Sequence, residues 1–272
     1  MKFQLPSWMR GGGLTTYAVL YMIFLYVPVL FLPLFSFNDG IYIAFPLKGF
    51  TVKWYEAMIH TESLQAALFN SIRVACSVSI ISTILGVLAA RAFTRYRFVG
   101  RKPALGLLAL PLVVPGIILG IALLIMATRL GIPLSLFTIG AAHVLIATPF
   151  ATFVMISRLE GFDANLEEAS RDLGETGWTT FWRVTFPLAL PGIVASLLLT
   201  FIESFDEFIL AFFLSGTDAT LPIYIWSQLR FPKRLPVVLA LGACILLFTV
   251  ITVAFAEWVR RKGVKPTPNS ES

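Results

Sequence analysis

Three carboxylates, Glu203, Asp206 and Glu207, stand within a strongly apolar stretch of the chain. A charged side chain at the centre of a membrane helix costs about 2.5–3.5 kcal/mol on insertion scales, so such groups need a partner, a cavity or water. Their i, i+3 and i+4 spacing predicts that all three share one helix face. The pattern predicts a path for a cationic solute. A second interpretation stays open, in which the acids bond to a partner subunit or to the loop after the helix.

The composition places these acids in a membrane protein. Hydrophobic residues make up 57% of the chain, charged residues only 13%, and the mean hydropathy is +0.84, which excludes an ordinary soluble domain. The net charge of +6 is concentrated beside apolar runs, which indicates membrane orientation and not a nucleic-acid partner. The two cysteines, Cys76 and Cys244, lie in apolar runs without metal spacing. We predict no metal site and no catalytic site.

Six apolar runs reach the roughly 20 residues that a membrane-spanning helix needs. The prediction is an all-α polytopic membrane protein with a membrane domain over 14–259, a cytoplasmic N-terminus over 1–13 and a disordered tail over 260–272. The six predicted spans cover residues 14–36, 69–91, 104–126, 136–157, 189–214 and 236–259.

The distribution of lysine and arginine predicts the orientation, because loops that carry more of them face the cytoplasm. With both termini inside, fourteen of the 21 basic residues lie on the cytoplasmic side and six on the other side. The remaining one, Arg73, lies near the outer end of the second span, where snorkelling to the surface is expected. His143, in the fourth span, is expected to be a packing residue. Outside, residues 51–58 predict a short interfacial helix.

The segment between the fourth and fifth spans, about 163–187, has the boundary residues of short helices. Asn165 can cap a helix whose first turn holds Glu167 and Glu168, and Gly174 can end it in the left-handed conformation. A second short helix is predicted from about Gly177 to Val184, stopped by Pro187 because the residue before proline avoids helical geometry. We expect an ordered helix-turn-helix on the cytoplasmic side.

This segment resembles a signature of the inner-membrane subunits of ABC importers: Glu-Ala-Ala, three residues, Gly, nine residues, Ile-x-Leu-Pro. The matching residues here are Glu168-Ala169-Ser170, Gly174 and Val184-Thr185-Phe186-Pro187, with Ser, Val and Phe as the departures. The resemblance implies a coupling helix that docks into a separate ATP-hydrolysing subunit. It implies that the residues contributing to this coupling are Glu167, Glu168, Ala169, Ser170, Gly174 and Pro187.

The resemblance also implies the partners and the location. It implies a second permease subunit of different sequence, two ATP-binding subunits, a periplasmic solute-binding protein and surrounding lipid, in a bacterial inner membrane. The chain has no Gly-x-x-x-x-Gly-Lys-[Ser/Thr] loop, so we expect it to bind no cofactor and ATP to be bound by partner subunits. It is accordingly not expected to be an enzyme.

The segment Ser204-Phe205-Asp206-Glu207-Phe208 resembles the acidic motif of spermidine/putrescine permeases, as do residues 35–38 and 69–71. The resemblance implies a polyamine as the transported solute. Two alternatives stay open: an ABC permease for another solute, such as an amino acid derivative, an opine or a metal ion, and a secondary transporter that works alone.

Overall fold

The computed structural model describes residues 12–161 and 165–263 of the 272-residue chain. These residues are helical except for the connecting segments and one isolated antiparallel bridge between Asn38 and Phe50. The prediction of an all-α protein is confirmed.

We number twelve α-helices within the described residues. Two shorter elements join them: a π-helical turn at Phe181–Thr185 between α8 and α9, and a 3-10 turn at Pro232–Arg234 before α12. The α-helices are α1 (Gly12–Ser36), α2 (Lys53–Ile59), α3 (Glu62–Arg95), α4 (Arg101–Val113), α5 (Gly116–Arg129), α6 (Leu136–Glu160), α7 (Asn165–Asp172), α8 (Gly177–Thr180), α9 (Phe186–Asp206), α10 (Ile209–Leu214), α11 (Leu221–Gln228) and α12 (Leu235–Gly263).

Four helical stretches of the described residues are long and apolar enough to cross a membrane: Gly13–Ser36, Glu62–Arg95, Leu136–Glu160 and Gly177–Asp206. The bent pair α4 and α5 makes a fifth if it is counted as one span. The described residues therefore belong to an all-helical membrane protein and contain four to five such spans. The predicted count of six, and the side on which the termini lie, stay predictions.

The helices divide into two compact units. One unit contains the chain up to Glu62 and from Ser227 onward, and in it α12 packs against α1 and α2. The helix α2 confirms the short helix predicted for the loop after the first span. The other unit runs from Ser63 to Trp226, and its most extensive helix pair is α6 with α9.

Two apolar clusters hold the second unit together. One cluster joins α3, α6 and α10, and the other joins α3, α6 and the start of α9. The members of the first are Val74, Val78, Ile139, Ala142, Ala147, Leu210, Ala211 and Leu214, and those of the second are Ala90, Met155, Leu159 and Ala189. The clusters lie at different levels along α3 and α6. These two helices, here called the frame, therefore support both α10 and the start of α9.

The predicted third span, 104–126, in which Pro111 and Pro115 predict a kink, consists of two separate helices. Helices α4 and α5 meet at a bend of 98°, where Val114 is extended, with ψ 128°, immediately before Pro115. The proline ring disfavours the helical conformation of the residue before it, and proline has no N–H to continue the helix. The kink expected from the prolines is thus a complete interruption.

The predicted fifth span, 189–214, has the wrong boundaries at both ends. Its helical stretch begins at Gly177 and ends at Asp206, and Glu207 is extended, with ψ 112°, before α10 starts. The break lies beside the start of α5, because a methyl group at Gly116 would lie 3.6 Å from Ile209. One turn further on, Gly120 faces the ring of Phe213. Helices α5 and α10 therefore start side by side and run in the same direction.

The predicted sixth span coincides with α12, which extends four residues further, to Gly263. Residues 260–263, predicted as part of a disordered tail, belong to this helix. Residues 1–11 and 264–272, which include the rest of the predicted tail and most of the predicted cytoplasmic N-terminus, lie outside the described residues.

The contact between α3 and α6 depends on a glycine. A methyl group at Gly86 would lie 2.7 Å from the Cβ of Ala151 and 2.9 Å from its carbonyl carbon, whereas one at Gly140 would meet nothing within 4 Å. We expect Gly86→Ala to lower the free energy of unfolding by about 1–3 kcal/mol through overpacking. Gly140→Ala is the matched control and should be neutral or stabilising by up to about 1 kcal/mol, since alanine is the better helix former. Thermal unfolding in detergent measures both, and equal midpoints would contradict the close contact.

Candidate functional site

The segment from Asn165 to Pro187, here called the coupling segment, begins with a helix that ends as predicted. Gly174 has φ +88°, its N–H donates to the carbonyl of Arg171, and the N–H of Glu175 donates to the carbonyl of Ser170. These two bonds form a Schellman motif, which requires the left-handed conformation that glycine adopts without strain. The prediction that Gly174 ends α7 in the left-handed conformation is confirmed.

Glu167 is buried, with 6% of its surface exposed, although it belongs to a helix at the surface. Its Oε1 accepts a hydrogen bond from Nε of Arg95 at 3.1 Å and one from the hydroxyl of Thr185 at 3.0 Å. Arg95 also donates to the carbonyl of Leu159 at 3.4 Å. A single carboxylate oxygen therefore joins α7 to the end of α3 and to the turn before α9.

Two more arginines fasten the coupling segment to the frame. Arg91 donates to the carbonyl of Gly177 at 3.2 Å and lies over the ring of Phe181. Arg158 donates to the carbonyl of Leu188 at 3.0 Å, just past the end of the segment, and its side chain packs on Gly192. The sequence indicated these arginines only as markers of the cytoplasmic side. Their structural role has no signal in sequence spacing, because each partner is far away along the chain.

Pro187 does not stop a helix, contrary to the prediction. The turn Phe181–Thr185 is π-helical, with the N–H of Phe186 donating to the carbonyl of Phe181, and Pro187 is in the first turn of α9. Proline is tolerated there because the first N–H groups of a helix need no partner within it. The second predicted short helix and the fifth span are thus one continuous helical stretch.

The outward side of the coupling segment is apolar as well as charged. Glu168 and Ala169 are exposed, and Ser170 is half-buried and shares a hydrogen bond with Thr180. Leu173 is 87% exposed and Trp178 is 68% exposed. Large apolar side chains held outward on an ordered element are typical of a protein interface. Glu168 and Glu167 are therefore separated by the fold, the first facing outward and the second inward.

The three acids of the predicted path lie at the break between α9 and α10, in different surroundings. Glu207 lies in the break, and its Oε1 accepts a hydrogen bond from the backbone N–H of Leu210 at 2.7 Å. Asp206 is the last residue of α9 and is exposed. Glu203 is half-buried, and its Oε2 has no hydrogen-bond partner among the described residues. The helix ends at Asp206 and Glu207 is its C-terminal cap residue, so the predicted fifth span does not continue through Glu207 as one helix.

Ser204, the residue after Glu203, makes a polar contact that the sequence did not predict. His143, which is 1% exposed, shares a hydrogen bond of 2.9 Å between its Nδ1 and the hydroxyl of Ser204. The pair joins α6 to α9 next to Glu203. Further along α9, the hydroxyls of Thr83 and Ser196 share a bond of 3.1 Å. The interface of α9 with its neighbours is therefore lined by hydroxyl groups as well as by carboxylates.

Known proteins match this chain over most of its length. Residues 82–264 match the family described as the binding-protein-dependent transport system inner membrane component. The chain belongs to this family. It is a permease subunit of a binding-protein-dependent ABC transporter, a multi-pass protein of the bacterial inner membrane, and not itself a catalytic subunit.

Among curated proteins, the chain is 33% identical to the spermidine/putrescine transport system permease protein PotC of Haemophilus influenzae, over 88% of this chain and 93% of the relative. It is 34% identical to the putrescine transport system permease protein PotI of Escherichia coli K12, over 86% and 85%. It is also 33% identical to a probable molybdenum ABC transporter permease protein of Haloferax volcanii, over 71% and 78%.

Solved structures show the same fold. A chain of a bacterial ABC transporter for the acidic polysaccharide alginate aligns with a TM-score of 0.70, over 97% of this chain and all of that one, at 18% identity. A second structure of an alginate transporter, in complex with an alginate-bound periplasmic protein, aligns with a TM-score of 0.73 over 94% of each chain, at 18% identity.

The buried carboxylate gives a testable difference between two neighbouring glutamates. Removing one member of a buried ion pair costs about 3–5 kcal/mol because the other charge is left unpaired, whereas an exposed glutamate contributes little. We expect Glu167→Ala to lower the thermal unfolding midpoint strongly and Glu168→Ala to leave it nearly unchanged. Arg95→Met in the Glu167→Ala chain should recover part of the loss. Equal midpoints for the two alanine variants would contradict the buried tie.

Proposed function

We propose that this permease subunit forms the translocation path for a cationic small solute, and that the solute is a polyamine such as putrescine or spermidine. The observation that carries the proposal is the pair of carboxylates at the break after α9. Asp206 is exposed, and Glu203 keeps an oxygen without a hydrogen-bond partner in the described part of the chain. Carboxylates with free acceptor capacity attract ammonium groups.

The backbone around these acids fits a path. Irregular backbone at membrane depth is tolerated only where it is buried in protein or lines a cavity. Two breaks, at Val114–Pro115 and at Glu207–Phe208, lie side by side in this fold. Transporters place solutes at such discontinuous helices. The position of the acids beside these breaks supports a role in the path.

The names of the relatives support the polyamine but do not decide it. Two relatives at 33–34% identity are named for spermidine or putrescine, and another at 33% is named for molybdenum. Identity at this level does not separate these solutes. The sign of the charge supports a cation, since a path lined by carboxylates would raise the barrier for an anion and lower it for a diamine or triamine.

For the mechanism, we infer a second permease subunit of different sequence, two ATP-binding subunits that bind the nucleotide, and a periplasmic protein that delivers the solute. The coupling segment docks into an ATP-binding subunit through Glu168, Ala169 and the exposed side chains of Leu173 and Trp178. When ATP closes the two ATPase subunits, α7 moves with them. The tie from Glu167 to Arg95 and Thr185 passes this movement to α3 and α9, and the path opens outward. Hydrolysis reverses the movement.

Glu203 and Asp206 can be tested one at a time, because Glu203 is half-buried and Asp206 is exposed. At about 4 Å and an effective dielectric constant of about 20, a carboxylate and an ammonium group attract by about 4 kcal/mol. We therefore expect Glu203→Gln and Asp206→Asn each to reduce uptake of radiolabelled putrescine at limiting concentration by about tenfold or more. The assay uses vesicles that contain the complete transporter.

A separate stability measurement tests the hydrogen bond that Glu207 makes. Glu207→Gln keeps an oxygen that can accept from Leu210, whereas Glu207→Ala removes it, so only the alanine variant should lower the unfolding midpoint. Normal putrescine uptake by both the Glu203 and the Asp206 variants, in correctly assembled transporter, would refute the polyamine. The family assignment would be untouched by that result.

Docking of the ATPase subunit is tested by co-purification. Glu168→Lys, Leu173→Asp and Gly174→Pro should each abolish retention of the ATP-binding subunit, the first two by changing the contact surface and the third by excluding φ +88°. Glu62→Lys, an exposed charge reversal at the start of α3, is the control and should retain the subunit. Retention by all the variants, or putrescine uptake without any ATPase subunit, would favour a transporter that works alone.

A further inference from the structure

The chain between α1 and α2 forms a closed loop with a rigid neck. Asn38, which is 2% exposed, accepts at its Oδ1 from the backbone N–H groups of Lys48 at 3.0 Å and Gly40 at 3.3 Å. The N–H of Asp39 donates to the carbonyl of Gly49 at 3.0 Å. Residues 40–47, here called the tip, are therefore held as one unit by the buried asparagine.

The tip is apolar and exposed, and its charges are confined to the neck. At the neck, Asp39 pairs with Lys53. Residues 40–47 contain no charged side chain. Within the tip, Tyr42 is 69%, Ile43 is 49% and Phe45 is 64% exposed. An aromatic and aliphatic surface of this kind on an ordered loop needs a non-aqueous neighbour.

The direction of the tip shows which neighbour this is. The ring of Phe45 lies 5.1 Å from that of Phe35 and 6.4 Å from that of Phe31, centroid to centroid. Phe31 and Phe35 are one turn apart on α1, which ends at Ser36. Phe45 therefore folds back along the last turn of a membrane-spanning helix, within about 5.4 Å of its end. It does not project away from that end into water.

The length of α1 fixes the depth. Its 24-residue span is about 36 Å long at 1.5 Å per residue, slightly more than the hydrocarbon core of about 30 Å. The level of Phe31 and Phe35 thus falls at the boundary between headgroups and acyl chains. Aromatic side chains are enriched at that level, and apolar faces are buried there to about 5–10 Å.

We propose that residues 40–47 are a membrane anchor, inserted into the leaflet at the Ser36 end of α1, whose partner is the phospholipid surface itself. The neck at Asn38, with the ion pair of Asp39 and Lys53, stays at the aqueous boundary. The anchor thereby fixes the end of α1 and the start of α2 at one depth. Between Val19 and Phe31 the surface of α1 is mostly apolar and largely exposed, so the tip continues a face that already belongs in the membrane.

The test uses spin labels in the assembled transporter, reconstituted in phosphatidylcholine and phosphatidylglycerol vesicles. Cys76 and Cys244 are first replaced by serine, and a single cysteine is introduced at Ile43. Two reference sites bracket it: Phe24, 77% exposed in the middle of α1, and Val99, fully exposed in the connection from α3 to α4. Collision with oxygen, which concentrates in lipid, is compared with collision with a water-soluble nickel chelate.

We expect the label at position 43 to favour oxygen over the nickel chelate, as the label at position 24 does, while the label at position 99 shows the reverse. Adding Ile41→Asp to the labelled chain should shift position 43 towards the chelate without changing position 99. A label at 43 that favours the chelate in the unmodified tip would refute the anchor. An immobile label that neither reagent reaches would also refute it, because the occupant would then be another protein.

Discussion

A carboxylate oxygen buried at the edge of a membrane domain is the constraint on which the coupling segment depends. The buried Glu167 carboxylate is stabilised by the hydrogen bonds that Arg95 and Thr185 donate to it, since an unpaired charge there would cost several kcal/mol. Each donor comes from a different part of the chain. The helix α7 is consequently fixed to α3 and to the turn before α9. In addition, Arg91 of α3 donates to the carbonyl of Gly177, and Arg158 of α6 donates to the carbonyl of Leu188. An element attached in this way moves with the bundle.

The parts of this arrangement that depend on neighbours in sequence could be predicted. The end of α7 follows from Gly174, and the break of the third span follows from Pro115, because both effects are local. The division of labour between Glu167 and Glu168 could not be predicted. The two are adjacent and chemically equal, and the choice is made by Arg95, 72 residues earlier. Pro187 was wrongly predicted to stop the helix, because the local sequence gives no indication of the π-helical turn before it.

The composition of this stretch gives no indication that α9 ends at Asp206. The stretch from Phe201 to Phe213 is rich in phenylalanine and has no glycine or proline, so hydropathy and the usual breaker residues indicate one continuous span. The only indication of the break in this stretch was the adjacent pair of acids, Asp206 and Glu207. Glu207 replaces the missing helical bonds by accepting from the N–H of Leu210, which is how a side chain restarts a helix. An acidic residue within an apolar run can therefore start a helix as well as bind a ligand.

The two breaks give a physical reason for the acids in the path proposed above. Helices α5 and α10 begin side by side, and a helix N-terminus carries a partial positive charge. Without carboxylates, this level of the bundle would attract an anion, as discontinuous helices do in transporters of carboxylates. Glu207 is engaged in capping and offsets part of that charge. Glu203 and Asp206 are additional to it, so the local sign is reversed and the same backbone geometry becomes suited to a cation.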